Sequence, residues 1–502
     1  MIRSGSRNVV LAAMIFAVAM SFIDQTIVSI AANDIQNHLH LTSTGIQWTI
    51  NAYLLGLAVF FAFGGRLADI YGHTKICVIG VVVFAISSAM CGLTPATSIA
   101  EPWLIFFRGV QGAGGALLFP AALAIVIQNF ELSERGKALA IFFGIAGGLT
   151  AVGPILGGYL TSWTWRSIFW INLPVAAIAL VLIALAKPQS AHRKAPLDVR
   201  GLGLVAIGVG ASVLGIQQSA QWGWSNPATW ICIAGGLIFL AVFMRTELHQ
   251  EHPLMDLKIF LLRAFRTDNA ILAFAMVAFI PLFLFAAEYA QISLGRTASN
   301  AGFVILWFFL GFAPGSQVGG RLLDRVGVRR PVIFGAAIAS GGFFWWSTLT
   351  SSLHMGTQTW AIILTGFGMG AVITAANTDA VNRAGQFSYG EATGITQTVR
   401  NYAAAIGMAV LGTILINDLR ARTTASLIDK GVPAKKAAEI AKASSQSSAG
   451  AHGSIPHFVA VNFAQSFSRI LVIMGAVMLC AFALAILGLP RGKQVATSSM
   501  HG

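Results

Sequence analysis

Apolar residues run along this chain in stretches of about 20, the length that carries an α-helix across roughly 30 Å of hydrocarbon at about 1.5 Å per residue. Six such windows fall near 9–32, 46–65, 76–94, 102–127, 138–162 and 167–186. Two more lie near 201–219 and 230–245, and a second six near 269–292, 302–322, 332–350, 360–381, 393–417 and 468–489. The pattern predicts an all-α integral membrane protein with 14 transmembrane helices, arranged as two six-helix bundles and two inserted helices. The expected divisions are an N-terminal bundle over 1–190, the inserted helices and their linkers over 191–262, a C-terminal bundle over 263–490, and a tail over 491–502. A long polar loop is expected at 418–467. The first window follows Arg3 and Arg7 and is longer than the apolar core of a signal peptide, so it reads as a helix.

Composition agrees with lipid as the main solvent. Of the 502 residues 56% are hydrophobic and 10% charged, against roughly 25% charged in water-soluble domains. The formal net charge of +14 raises nucleic acid as a partner, but the basic residues are scattered in short runs between apolar stretches and form no patch. No nucleic-acid partner is expected. Placing the N-terminus in the cytoplasm puts about two thirds of the 32 Lys and Arg on that side, which predicts both chain ends inside and an extracytoplasmic 418–467 loop. Cys77, Cys91, Cys232 and Cys480 stand singly in apolar stretches, so neither a disulfide framework nor a metal site is expected.

An internal repeat supports the division. Gly65-Arg66-Leu67-Ala68-Asp69-Ile70-Tyr71-Gly72 follows the second window of the first six, and Gly320-Arg321-Leu322-Leu323-Asp324-Arg325-Val326-Gly327 follows the second window of the second six. Duplicated bundles are a common plan of secondary transporters, with the substrate site near the midplane between repeats.

Further motifs carry a resemblance. Leu104 to Gly115, containing Arg108, Gln111 and Gly112, lies in the fourth window; Gly153-Pro154-Ile155-Leu156-Gly157-Gly158 lies in the fifth; Trp165 to Pro174 opens the sixth; Asp24-Gln25-Thr26-Ile27-Val28 lies in the first. With the Gly65 to Lys75 segment, these resemble the major facilitator superfamily, and within it the fourteen-helix drug:proton antiporters of the multidrug-resistance protein B and quaternary-ammonium-resistance type. The segment departs from the family pattern at Ile70 and His73, and Asn33 stands where Pro is common. The resemblance implies a multi-pass protein of the cell (inner) membrane that exports amphipathic, cationic small molecules in exchange for protons and works as a monomer. It also implies latch contacts at Asp69 and Asp324, with a plain cap or solvated turn as the alternative, and an antiport role for Gly153, Pro154, Gly157 and Gly158, with ordinary helix packing as the alternative.

The residues themselves suggest chemistry. An arginine inside a membrane helix costs a few kcal/mol and is retained when it faces a bundle interior or wet cavity with a partner. Arg108 lies about 9 Å into the fourth helix and Asp24 about 10 Å from the same face in the first, so the two can pair. Such a pair either orders the bundle statically or contains a proton-responsive carboxylate. In the second reading burial favours the protonated acid, while a guanidinium or a cationic cargo favours the ionised one, so proton and cargo exclude each other. Asp34 and Glu288, near outer helix ends, are further candidates for proton coupling, with a solvated interfacial role equally open. Arg400 is deep enough to serve either function or pairing. Gln111, Trp307, Phe312 and Arg400 are candidate cavity residues. Phe60, Phe61, Phe63 and Phe308 offer either cation-π contacts or lipid-facing filler. Small residues with Pro154 let helices approach closely and bend.

Several function classes are excluded by pattern. There is no G-x-x-x-x-G-K-[ST] loop for ATP, and Gly112-Ala113-Gly114 lies inside an apolar window where no strand precedes it. H-E-x-x-H and G-x-S-x-G are absent from the sequence, so no enzyme activity and no cofactor is expected. Two alternatives remain: a carrier dedicated to one metabolite, siderophore or lipid, and a non-transporting membrane sensor.

Overall fold

A computed structural model describes residues 4–130, 138, 141–142, 145, 149, 152–153, 155–188, 198–250, 253–382, 389–446 and 456–492. Among the described residues there is no strand, and 13 helices are long and apolar enough to cross a membrane. They are α1 (Ser4–Leu39), α2 (Ser43–Tyr71), α3 (His73–Gly92), α4 (Ala100–Asn129), α5 (Ser167–Ala186), α6 (Val199–Trp222), α7 (Pro227–His249), α8 (Arg263–Ile292), α9 (Ala298–Val326), α10 (Arg329–Leu349), α11 (Met355–Asn382), α12 (Tyr389–Asp429) and, after the short α13 (Ala434–Gln446), α14 (His457–Gly488). The expected helix at 138–162 is described only in part, with residues 155–161 helical. Pro154 lies outside the described residues, as do Arg135, Lys137, Arg383 and the middle of the 187–200 linker.

Lipid tails are as apolar as leucine, so helices in a bilayer gain little by hiding apolar surface and rely on close packing. The chain meets this with small residues at equivalent places in each half. On α2 and α4, a Cβ at Gly56 would overlap the Gly109 carbonyl, and one at Gly112 would overlap the Tyr53 carbonyl. On α9 and α11, Gly311 and Gly315 lie against the carbonyls of Ile363 and Phe367 in the same way. The second and fourth helices of each half therefore touch backbone to backbone. Gly72 (φ 95°) and Gly327 (φ 82°) end α2 and α9 in the left-handed region that glycine tolerates, each donating its N–H to the carbonyl four residues back.

Helix direction follows from cross-links. Gln291 donates to the Ile30 carbonyl at 3.2 Å, setting the far end of α8 beside the far end of α1. Ser293 donates to the Ala460 carbonyl at 2.9 Å and Arg263 to the Leu487 carbonyl at 2.8 Å, so α14 runs antiparallel to α8. Hence α1 begins and α14 ends on one face, here called proximal. The halves meet along α2 and α12: Gly412 packs on Gln47 near the distal face, and Ala392 and Ile395 join Ala58 and Val59 in a buried cluster further in.

The inserted helices stand beside that seam. On α6, Gln217 accepts from Asn51 of α2 at 2.5 Å, Ser212 bonds Tyr402 of α12 at 2.8 Å, and the Ile216 carbonyl accepts from Thr413 at 3.4 Å. One helix thus hydrogen-bonds both halves.

The structure corrects the expected loop at 418–467. The helix that begins at Tyr389 continues to Asp429, and α13 follows it. Asp418 stabilises the extension by accepting from Arg422, one turn on, at 2.6 Å and from Arg469 of α14 at 2.5 Å, while Arg422 also donates to Gln465 at 2.7 Å. These pairs let a polar stretch stay helical, which an apolar-window reading does not register.

Candidate functional site

Asp24 on α1 and Arg108 on α4 are in direct contact inside the first bundle, both about 1% exposed. Arg108 donates to Asp24 Oδ2 at 2.5 Å, to Gln111 Oε1 at 2.8 Å, and through its Nε to the Thr49 carbonyl at 3.0 Å. Gln111 Nε2 closes the triangle on Asp24 Oδ1 at 3.0 Å. Below the guanidinium lies the Tyr53 ring, 4.4 Å from its centroid, and the Tyr53 hydroxyl bonds Ser21 Oγ at 2.7 Å. A buried charge pair is tolerated when its remaining donors and acceptors are satisfied, and here each carboxylate oxygen has a donor. Thr49 and Tyr53 escape a charge-based reading, although their i, i+4 polar spacing in an apolar helix marks one face of α2.

The other candidates do not join this network. Asp34 is half-buried one turn before His38 at the distal end of α1. Glu288 is 9% exposed on α8, one turn from Gln291, and makes no hydrogen bond among the described residues. Arg400 on α12 donates to Gln397 at 2.6 Å and to Asn377 of α11 at 3.2 Å, and its Nε has no partner. Phe312 belongs to an aromatic cluster with Phe279, Phe283, Phe308 and Phe309, ring centroids 4.8 to 6.1 Å apart, while Trp307 is half-buried beside the core. Gly153 and Gly157 lie against α1, where a Cβ would overlap Thr26 Oγ1 at the first and press on Ile27 at the second; Gly158 is buried.

The repeated turns lie on the proximal face. Gly65, Arg66, Asp69 and His73 line a cavity of about 400 Å³ with Pro120 of α4, Leu254 and Met255 after α7, and Thr393 of α12. Asp69 stands 3.7 Å from His73, with its side chain 56% exposed. The walls around it push its carboxyl above the ordinary carboxylate range, while His73 and Arg66 pull it part of the way back. In the second copy Gly320 packs loosely beside Thr374, Asp324 is exposed, and Arg325 lines a cavity of about 450 Å³ with Arg329, Arg330 and Arg491.

Two pseudo-equivalent helix bundles, close-packed on small residues and enclosing a charge network at membrane depth, define a membrane carrier. The comparisons give the family. Residues 14–408 match the model of the Major Facilitator Superfamily, and the chain belongs to it. It is 32% identical to the Multidrug resistance protein Stp of Mycobacterium tuberculosis over 82% of this chain and 76% of that protein. It is 29% identical to the Tetracenomycin C resistance and export protein of Streptomyces glaucescens over 95% of this chain and 90% of that one. Among solved structures, a D-xylose-proton symporter superposes with a TM-score of 0.64 at 14% identity, covering 96% of this chain and 98% of that one. The chain is a membrane transporter of small molecules, and its relatives include multidrug and antibiotic resistance exporters.

Proposed function

We propose that this chain is a proton-coupled exporter of amphipathic, cationic compounds, in which Asp24 carries the coupling proton and the two bundles rock about a central cavity. The observation that carries the reading is the way Arg108 is held. Protonating Asp24 removes one of its partners, but the Thr49 carbonyl, Gln111 Oε1 and the Tyr53 face remain. The guanidinium therefore stays bound while the carboxyl changes charge, which lowers the cost of the switch. Glu288 and Asp34 extend the acidic path toward the distal face, and Gly153, Gly157 and Gly158 let the segment that holds them follow α1 as it moves. Asp69 and Asp324 act as conformational contacts. The protein sits in the inner membrane with its proximal face in the cytoplasm and works as a monomer.

Coupling through such a site needs only that cargo and proton exclude each other in an alternating-access cycle. A proton moving down about 100 mV and about one pH unit releases roughly 3.7 kcal/mol, enough for about a 500-fold gradient of a neutral solute. For one-for-one exchange with a monovalent cation the electrical part cancels.

A second reading keeps the fold and narrows the cargo to one natural product, as the name of the tetracenomycin C relative suggests. Everted vesicles loaded with a pH dye separate the two. Drug-induced proton release across several chemically unrelated cations supports the broad exporter. Release for one compound class alone supports the dedicated carrier, and no release for any transported compound removes proton coupling.

A further inference from the structure

On the proximal face, where the inserted helices converge, two carboxyl side chains are buried: Asp198 is 6% exposed and Glu247 is 2% exposed. Asp198 caps α6, its Oδ1 accepting the Gly201 N–H at 2.8 Å. Glu247, in the last turns of α7, accepts the Met255 N–H on Oε2 at 2.8 Å. The second oxygen of each, Asp198 Oδ2 and Glu247 Oε1, is closed to solvent and has no hydrogen-bond donor. Both oxygens occupy the space that a Cβ on Gly201 would fill, so they face each other across the glycine.

Two ionised carboxylates are costly in that arrangement, since both orphan oxygens are closed to solvent and no basic side chain among the described residues bonds to them. Among the described residues, the basic groups on the adjoining turns, Arg200, Arg245, His249 and Lys258, are exposed. Asp256 turns to the Lys258 N–H at 3.0 Å. Arg66 and Asp69 of α2 and His73 of α3 line the cavity with Leu254 and Met255, and from α12 Arg400 is held by Asn377 and Gln397. One proton taken from the proximal aqueous phase satisfies both orphan oxygens, one acid becoming the donor to the other.

We propose that Asp198 and Glu247 share a single proton, forming a proton site on the inserted helices that tethers the 253–256 connector to the wall of the proximal cavity. The tether runs from Glu247 Oε2 to the Met255 N–H. Leu254 and Met255 are buried in the cluster that joins Val205 and Val209 of α6 to Ala392 and Ile395 of α12. Loss of the proton leaves two facing anions; Glu247 withdraws to water, Met255 loses its acceptor, and the connector leaves the cavity wall. The site is separate from Asp24 and stands whether or not Asp24 carries the coupling proton.

The test uses the full purified chain with Cys77, Cys91, Cys232 and Cys480 replaced and Met255→Cys introduced, labelled with an impermeant maleimide from about pH 6 to about pH 9. Rates are normalised to the denatured protein to remove intrinsic thiol ionisation. Below the midpoint the normalised rate rises about tenfold per pH unit, and above it the rate levels off. Adding Glu247→Gln, whose amide donates to Asp198 while its oxygen still accepts from Met255, holds labelling low and flat. A pH-independent rate in the parent, or an equal rise in the Glu247→Gln protein, overturns the proposal. Infrared difference spectra of the unsubstituted protein give a second reading. A protonated-carboxyl C=O band lost on raising pH, and missing from both Glu247→Gln and Asp198→Asn, supports the shared proton; an unchanged band in both variants contradicts it.

Discussion

Each half of the molecule holds an arginine inside a membrane helix, and the two are answered by different chemistry. Arg108 meets a carboxylate, a carbonyl, an amide oxygen and a ring face, all within the first bundle. Arg400 meets two neutral amides and leaves its Nε without a partner. A cation paired with a carboxylate sits in a site whose net charge one proton can change. A cation held by amides has no carboxylate beside it to take up a proton. The first half therefore holds a buried ion pair, and the second holds a buried cation on neutral amides alone.

The largest effect expected from breaking this contrast is at Arg108. Arg108→Ala strands Asp24 without its cation and should cost about 3–5 kcal/mol, read as a lowered unfolding midpoint in detergent. The pair Asp24→Asn with Arg108→Gln should recover most of that loss, because neither charge is left alone. Arg400→Gln, which removes a charge that no carboxylate answers, should cost less, about 1–2 kcal/mol. Equal losses for Arg108→Ala and Arg400→Gln would erase the distinction between the halves. The smallest change is Tyr53→Phe, which keeps the ring beneath the guanidinium and removes the bond to Ser21, for about 1 kcal/mol in the same assay.

Much of this contrast is legible in the chain. Apolar windows place the helices because a spanning segment must be apolar over nearly its whole length, and depth along the first and fourth windows brings Asp24 level with Arg108. Partners that are not charged escape that reasoning: Thr49 enters through its backbone carbonyl and Tyr53 through its ring face, and neither has a sequence signal beyond spacing. Asp198 and Glu247 are separated by two whole helices, and only the folded α6–α7 pair sets their oxygens against each other. The continuation of α12 past residue 417 depends on Asp418 meeting Arg469 of α14, a pairing between segments that no local window contains. Arg400 shows the opposite limit, since its depth is readable but the neutrality of Asn377 and Gln397 as its partners is not.

Proton release on cargo binding tests the coupling proposal most directly. Purified protein in weakly buffered detergent, mixed with a saturating amphipathic cation, should release protons, and the Asp24→Asn variant, still folded, should bind the same cation and release none. Equal release from both proteins, or binding to the unsubstituted protein with no release at any pH, would contradict exchange at Asp24.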